Sequence, residues 1–308
     1  MAQPQSGILP DANTDATFIT LMMDQREESC AAVRAAIAAV PDLTDSLAAQ
    51  YPDSALVSVV GVGPEAWDRL YPESRPAALG HFQGLDGAGG IAPSTPGDVL
   101  LHIRSDRRDV NFELARRIMA RFGDTQSLVE EINGFRYLDK RDLTGFVDGT
   151  ENPTGDDRAA VALVGDEDAA FRAGSYISIQ RYVHDLAGWE RLAVADQEAI
   201  MARTKADNVE FASEDKPPTA HIVRVSIKED GQSLEIMRHS MPYGTTSEHG
   251  LYFISYARRP DIFHKMLERM IVADESGHYD HLMAYSRAVT GANFFAPSRD
   301  WLAATAGQ

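Results

Sequence analysis

The sequence predicts an α+β protein built from two split βαβ units with antiparallel sheets, and three observations carry that prediction. Short runs rich in β-branched and aromatic residues alternate with stretches whose apolar residues recur every three or four positions. The order strand, helix, strand, strand, helix, strand is read in the first half, and a similar order returns in the second. Between the halves stands an acidic, glycine-bearing segment, TGFVDGTENPTGDD at 144–157. No letter-for-letter repeat relates the halves, so the duplication rests on the order of elements alone.

Each element has its own reason. Residues 1–15 are polar and contain proline, which predicts a flexible N-terminal arm. ATFITLMM (16–23) has the continuous apolar character of a buried strand. EESCAAVRAAIAAV (27–40) spaces Cys30, Val33, Ile37 and Val40 as a helix does, with Pro41 as its expected end. SALVSVVGVG (54–63) predicts the second strand, and PEAWDRL a short helix with Pro64 in its first turn. GLDGAGGIAPSTPG (84–97) reads as a loop. DVLLHIRS predicts a strand, NFELARRIMARF an amphipathic helix, and a last strand is expected near GFRYLDKRDL. In the second half GSYISIQRYVHDL, HIVRVSI, SLEIMRHS and LYFISYAR read as strands. VADQEAIMAR and PDIFHKMLERMI read as helices. The expected organisation is an arm over 1–15, a ferredoxin-like unit over 16–143 and a second over 144–308 that includes the acidic segment. A junction between two sheets is a common place for a ligand cleft.

Composition narrows the function. The 308 residues carry a formal charge of −17, which argues against nucleic-acid or anionic-membrane partners, since Lys and Arg drive phosphate binding. The single cysteine, Cys30, cannot form an intrachain disulfide and fits a reducing compartment, or simply a small apolar core residue. No basic or apolar leader stands at the N-terminus, and no window reaches the roughly 18 apolar residues of a membrane span. A cytoplasmic protein is expected.

The acidic segment fails two familiar patterns. An aspartyl-phosphatase motif would need a nucleophilic acid where Phe146 stands. An EF-hand would need acids at spacings that Asp148, Glu151, Asp156 and Asp157 do not meet. A solvated turn with Asp148 capping local amides remains open for any Asp-Gly-Thr, and Glu151, Asp156 and Asp157 read as such turn residues. The full string GFVDGTENP, followed in order by HIVRVSI, MRHSMPYG and AVTGANFFAPS, resembles the dye-decolourising peroxidases, which are haem enzymes. The resemblance runs from the first strand to SRDWL and is nearest to the compact bacterial B (or P) subgroup.

That resemblance implies a dimeric α+β barrel-like fold of two ferredoxin-like units, with one haem b per chain in the C-terminal half. It implies a peroxidase that reduces hydrogen peroxide through an oxoferryl state and oxidises dyes, phenols or other small aromatic reductants. A homo-oligomer is expected. By motif position His221 corresponds to the iron ligand, Asp148 to the acid–base residue and Arg238 to its fixed positive partner. Gly149 and Thr150 would turn the loop beside the cofactor, while Leu251 and Phe253 would wall it. Asp280 is the candidate partner for the second nitrogen of His221, with a helix N-terminal acid as the other reading. Ser240 stands where some relatives carry Asn. Of the remaining histidines, strand alternation turns His239 away from whatever Arg238 faces. An aspartate with a reference pKa of about 3.9, against about 6.5 for histidine, stays ionised into acid, so oxidation is expected to favour mildly acidic pH. The alternative function is a haem- or porphyrin-handling protein with incidental peroxidase activity. His221 serves both, while Asp148 and Arg238 are needed only by the enzyme. Only AATAGQ follows Leu302, so an extension like the one that directs some relatives into protein nanocompartments is not expected.

Overall fold

A computed structural model describes residues 2–307. The first half contains β1 (Asp15–Met23), α1 (Ser29–Gln50), β2 (Val57–Val62), α2 (Pro64–Leu70), β3 (Leu85–Gly87), β4 (Gly90–Ala92), β5 (Val99–Ser105), α3 (Arg108–Phe122) and β6 (Gln126–Phe135). The second half begins with α4 (Asp157–Ala162), β7 (Ser175–His184), α5 (Leu186–Trp189), α6 (Val194–Met201) and α7 (His221–Val225). It continues through β8 (Lys228–Glu229), β9 (Gln232–Ser233), β10 (Met237–Arg238), β11 (Met241–Gly244) and β12 (His249–Ala257). It ends with α8 (Asp261–Ile271), β13 (Ser286–Ala288), β14 (Ala292–Ala296) and α9 (Arg299–Thr305).

Strands β6, β1, β5 and β2 lie side by side, all antiparallel, in the order of a split βαβ unit. Strands β11, β12, β7 and β14 form the corresponding set in the second half. Two narrow seams join them, Tyr243 opposite Gly134 and Phe295 opposite Val62. Since β12 also pairs with β7, the ring of eight strands closes into a barrel and leaves few free edges.

Alternation along each strand divides the core. On β1, Ile19 and Leu21 pack outward under α1 and α3, while Phe18 points into the barrel. On β5, Leu101 and Ile103 go outward and Leu100 inward. On β12, Tyr252, Ile254 and Tyr256 fill the barrel, and Leu251 and Phe253 face the opposite side, toward α8. Phe253 stacks on Phe263 of α8 with ring centroids 4.7 Å apart.

Several local expectations are corrected. HIVRVSI does not form a strand: its first five residues are α7, in which the Ala220 carbonyl accepts from the amides of Val223 and Arg224. Its valines read as β-formers, but β12 already has β10 and β11 along its free edge, and the segment packs on α8 instead. SLEIMRHS forms no continuous strand: Ser233 ends β9 and Met237–Arg238 make β10. The strand expected near GFRYLDKRDL ends earlier, at Phe135. Helix α1 does not stop at Pro41 but runs on to Gln50, because Ile37, Val40, Thr44 and Leu47 continue one buried stripe across the proline. The glycine-rich loop holds the β3–β4 hairpin, and a Cβ on Gly87 would lie 2.6 Å from the Ile271 carbonyl oxygen. The N-terminal arm is packed rather than loose: Ile8 is fully buried, and the Gln5 amide donates to the carbonyls of Val60 and Pro297 at 2.9 Å each.

Candidate active site

A cavity of about 610 Å³ opens on the outer face of β12 and β10, closed by α7, α8 and the GFVDGTENP loop. That volume is in the range of small-molecule and cofactor sites. All its lining residues fall between Asp142 and Ser286, and all but Asp142 belong to the unit over 144–308. His221, Asp148, Gly149, Thr150, Arg238, Leu251 and Phe253 all line it. Asp280 stands behind, fully buried.

The wall carrying His221 is set by backbone. Pro217 accepts from the Ala220 amide, and Ala220 starts α7, so the imidazole leaves the first residue of a fixed helical turn. One turn on, the Arg224 side chain donates to Asp274 at 2.9 Å and to the Arg269 carbonyl at 2.8 Å, which anchors α7 to the end of α8. Nδ1 of His221 lies 2.6 Å from Asp280 Oδ2. The other oxygen of Asp280 accepts from the Leu282 amide at 2.9 Å and caps a short 3₁₀ turn. Both readings of Asp280, as partner of the imidazole and as helix cap, therefore describe one side chain. A buried carboxylate on Nδ1 leaves Nε2 as the nitrogen with a free lone pair and makes it a stronger donor. Nε2 makes no hydrogen bond to any described residue.

The loop wall is built differently. Phe146 is buried, and its ring meets Trp189 edge-on at 6.1 Å. Trp189 Nε1 donates to the Thr144 carbonyl at 2.9 Å. Arg141 donates to the carbonyls of Gly145 and Lys205 at 2.7 and 2.6 Å, fixing the loop's entry. Gly149 has φ +74°, a conformation that a side chain disfavours, and its amide donates to Asp148 Oδ1 at 2.7 Å. Thr150 accepts from the Asn208 side chain at 3.1 Å at the exposed rim.

Asn152 was not singled out by the sequence, yet it connects two motifs. Its Nδ2 donates to the Arg238 carbonyl at 2.8 Å, and its Oδ1 accepts from the Arg238 amide at 3.0 Å. This paired clip fastens β10 to the loop, as a strand neighbour would. The Arg238 guanidinium makes no ion pair with Asp148 or with any other described carboxylate. It thus keeps its charge and donors for whatever occupies the cavity. Ser240 Oγ accepts from the Ile254 amide at 3.3 Å and also lines the cavity.

Two further lining residues carried no motif signal. Asp142 has a carboxyl pushed up to about 6, first by burial and also by the charge of Asp148, against hydrogen bonds from the Thr144 amide and hydroxyl. His184 is half-buried, with Nδ1 3.0 Å from Ser286 Oγ and Nε2 shut away from water without a partner. Burial pulls its imidazole down to about 4, so it is neutral at pH 7. Only the way β7 crosses the cavity brings it there. The donor set fits a haem: one carboxylate-backed imidazole, an apolar wall from β12 and α8, and an unpaired guanidinium.

Comparisons with known proteins place the chain in a family. Residues 5–136 match the N-terminal domain model of Dyp-type peroxidases, and residues 139–301 match the C-terminal one. A dye-decolorizing peroxidase from Mycobacterium tuberculosis is 43% identical over 275 residues, covering 88% of this chain and 82% of that protein. One from Mycolicibacterium paratuberculosis is 42% identical over 303 residues, covering 97% and 85%. The structure of DyPB from Rhodococcus jostii RHA1 superposes with a TM-score of 0.94 at 41% identity over 97% of each chain, and variants of that protein were solved in complex with heme. The encapsulated DyP-type peroxidase from Mycobacterium smegmatis superposes with a TM-score of 0.95 at 38% identity over 98% of each chain. Both halves of the family's architecture are thus present in order and nearly to full length: the chain belongs to the Dyp-type peroxidase family.

Proposed function

We propose that this chain is a haem peroxidase that reduces hydrogen peroxide and oxidises small aromatic donors such as dyes and phenols. The observation that carries the reading is the His221–Asp280 pair on the same cavity as Asp148 and an unpaired Arg238. The haem, when bound, supplies the redox chemistry; the residues supply a ligand, a proton carrier and a charge. His221 Nε2 would hold the iron, and Asp280 fixes the tautomer that leaves this nitrogen free. Asp148 takes a proton from one oxygen of hydrogen peroxide and returns it to the departing oxygen. Arg238 offers fixed positive charge to the negative charge that develops as the O–O bond breaks. Gly149 and Thr150 set the turn that aims Asp148, and Leu251 and Phe253 keep water from the apolar wall.

The haem is assigned to the unit over 144–308, and the unit over 16–143 supplies the rest of the barrel. The lining of the cavity, which apart from Asp142 lies in the second unit, supports this division. A cytoplasmic homo-oligomer is part of the same proposal. Among the described residues no helix is long and apolar enough to cross a membrane. The test is the Soret band of the haem-loaded protein before and after one equivalent of peroxide, in the native chain and in Asp148→Asn and Arg238→Leu. Retained haem with a slowed peroxide response in both variants is expected. An unchanged response in both would leave haem handling as the function.

A further inference from the structure

Behind β12, on the barrel side, lies a second cluster of ionisable groups that the peroxide reaction does not use. His102 and Arg104 of β5, His239 and Tyr256 are all buried there. His102 Nδ1 lies 2.7 Å from the Tyr256 hydroxyl, and the second nitrogen of His102 has no partner. His239 Nε2 lies 2.7 Å from the Ile8 carbonyl oxygen, and its ring meets Tyr256 edge-on at 5.7 Å. Arg104 donates to the Gly7 carbonyl at 2.7 Å and lies 3.4 Å from His239 Nε2. Among the described residues no carboxylate pairs with it. The cluster is walled from the cavity by one thickness of sheet, because Arg238 and Phe253 face the cavity while their neighbours His239 and Tyr256 face inward.

We propose that Tyr256 and His102 form a proton-coupled redox site, at which the Tyr256 phenol gives an electron to the peroxide-oxidised haem and its proton to His102 Nδ1. The reading rests on the haem-peroxidase function. In the step the Tyr256 O–H bond breaks and an N–H bond forms on His102. The haem gains one electron, and a neutral phenoxyl radical faces an imidazolium. Return of an electron from an aromatic donor, with the proton moving back, restores the pair.

The choice of Tyr256 follows from where a phenol proton can go. Loss of an electron turns a phenol into a very strong acid, so oxidation is easiest where a neutral base already accepts the hydrogen bond. Burial and the neighbouring Arg104 charge hold His102 well below its ordinary pKa, so it is such a base. Tyr182 is nearer the cavity, but its hydroxyl donates to the Gln180 amide oxygen, which cannot carry the proton. Tyr243 donates to the Tyr182 carbonyl, which cannot carry the proton, and takes a bond from Arg181. Among the described residues Tyr256 is the one phenol paired with an imidazole. The Arg104 charge destabilises the imidazolium, so the radical stays strongly oxidising and passes its hole on. His102 also stacks on Phe18 at 4.7 Å, and Phe18 on Tyr252 at 4.1 Å, so the pair lies in a continuous buried ring stack.

The test is electron paramagnetic resonance on haem-loaded protein frozen after one equivalent of hydrogen peroxide, with the Soret band followed in parallel. A tyrosyl signal that narrows when the protein carries ring-deuterated tyrosine is expected. It should be lost in Tyr256→Phe and diminished in His102→Phe, which keeps the ring stack but removes the base, while both variants keep their Soret response. A responding Soret band with no tyrosyl signal, or with the same signal in Tyr256→Phe, overturns the radical assignment alone. A Soret band indifferent to peroxide overturns the peroxidase reading and this one with it.

Discussion

The two faces of β12 hold nearly the same residue types and make opposite use of them. Outside, His221 and Arg238 border a cavity; inside, His102, His239 and Arg104 are packed among aromatic rings. The outer histidine has a buried carboxylate on one nitrogen and leaves the other to the cavity. The inner histidines meet a phenol and a carbonyl, and have no space beside them. The outer arginine is unpaired beside an opening, whereas the inner one spends its donors on the carbonyls of Gly7 and Asp11. Residue type therefore does not locate the site. A carboxylate behind the imidazole and room in front of it mark the proposed one.

That contrast is most sharply broken by exchange of roles. Asp148→Asn should slow the reaction with peroxide by about 10²–10⁴-fold, the usual reach of a positioned acid–base group, with haem content unchanged. A stopped-flow rate near the native value would move the proton carrier elsewhere, with Asp142 the next group on the same wall. Asp280→Asn should weaken haem retention by about 10–100-fold, measured by transfer to apomyoglobin, because the imidazole loses its orienting carboxylate. Removal of His239 should leave retention untouched, since it faces the barrel. If His239→Gln loses haem and Asp280→Asn does not, the two faces have been assigned the wrong way round.

Smaller effects sharpen the picture. Asp142, held at about 6, is largely protonated below that pH and charged above it, where it stands against Asp148. The pH profile of the peroxide rate should carry a step near pH 6 that disappears in Asp142→Asn; a step unmoved by the substitution belongs to another group. His184 titrates near 4 in the folded chain and at about 6.5 unfolded, so its contribution is complete above pH 6.5 and lost as pH falls toward 4. With its ring half-buried the loss should be about 1–3 kcal/mol, read as the difference in denaturant midpoints between native chain and His184→Gln across that window. Breaking the Asn152 clip with Asn152→Ala should cost about 1–3 kcal/mol for its two hydrogen bonds. It should slow peroxide less than Asp148→Asn does.

Much of this was legible in the chain before any coordinates. Short apolar and β-branched runs announced β1, β2, β5, β7 and β12, and period-3.6 stretches announced α3 and α8, because these patterns are local. GFVDGTENP and the motifs after it pointed to Asp148, Arg238 and His221. Sequence patterning misled where tertiary contacts overrode local preference. HIVRVSI has a strand's valines but lies on α8 as a helical turn, and α1 keeps its stripe through Pro41.

By itself, then, the sequence determined most of the elements and their order and offered candidate side chains for peroxide chemistry, since these depend on residues a few positions apart. Only the tertiary structure decided which of nine histidines has a carboxylate behind it and space before it. His221 and Asp280 meet across 59 positions, Asn152 and Arg238 across 86, and His102 and Tyr256 across 154. The first two meetings come from packing a helical turn, a loop and β10 on the outer face of the second unit, and the third from closing two sheets into one barrel; no local pattern encodes such distances.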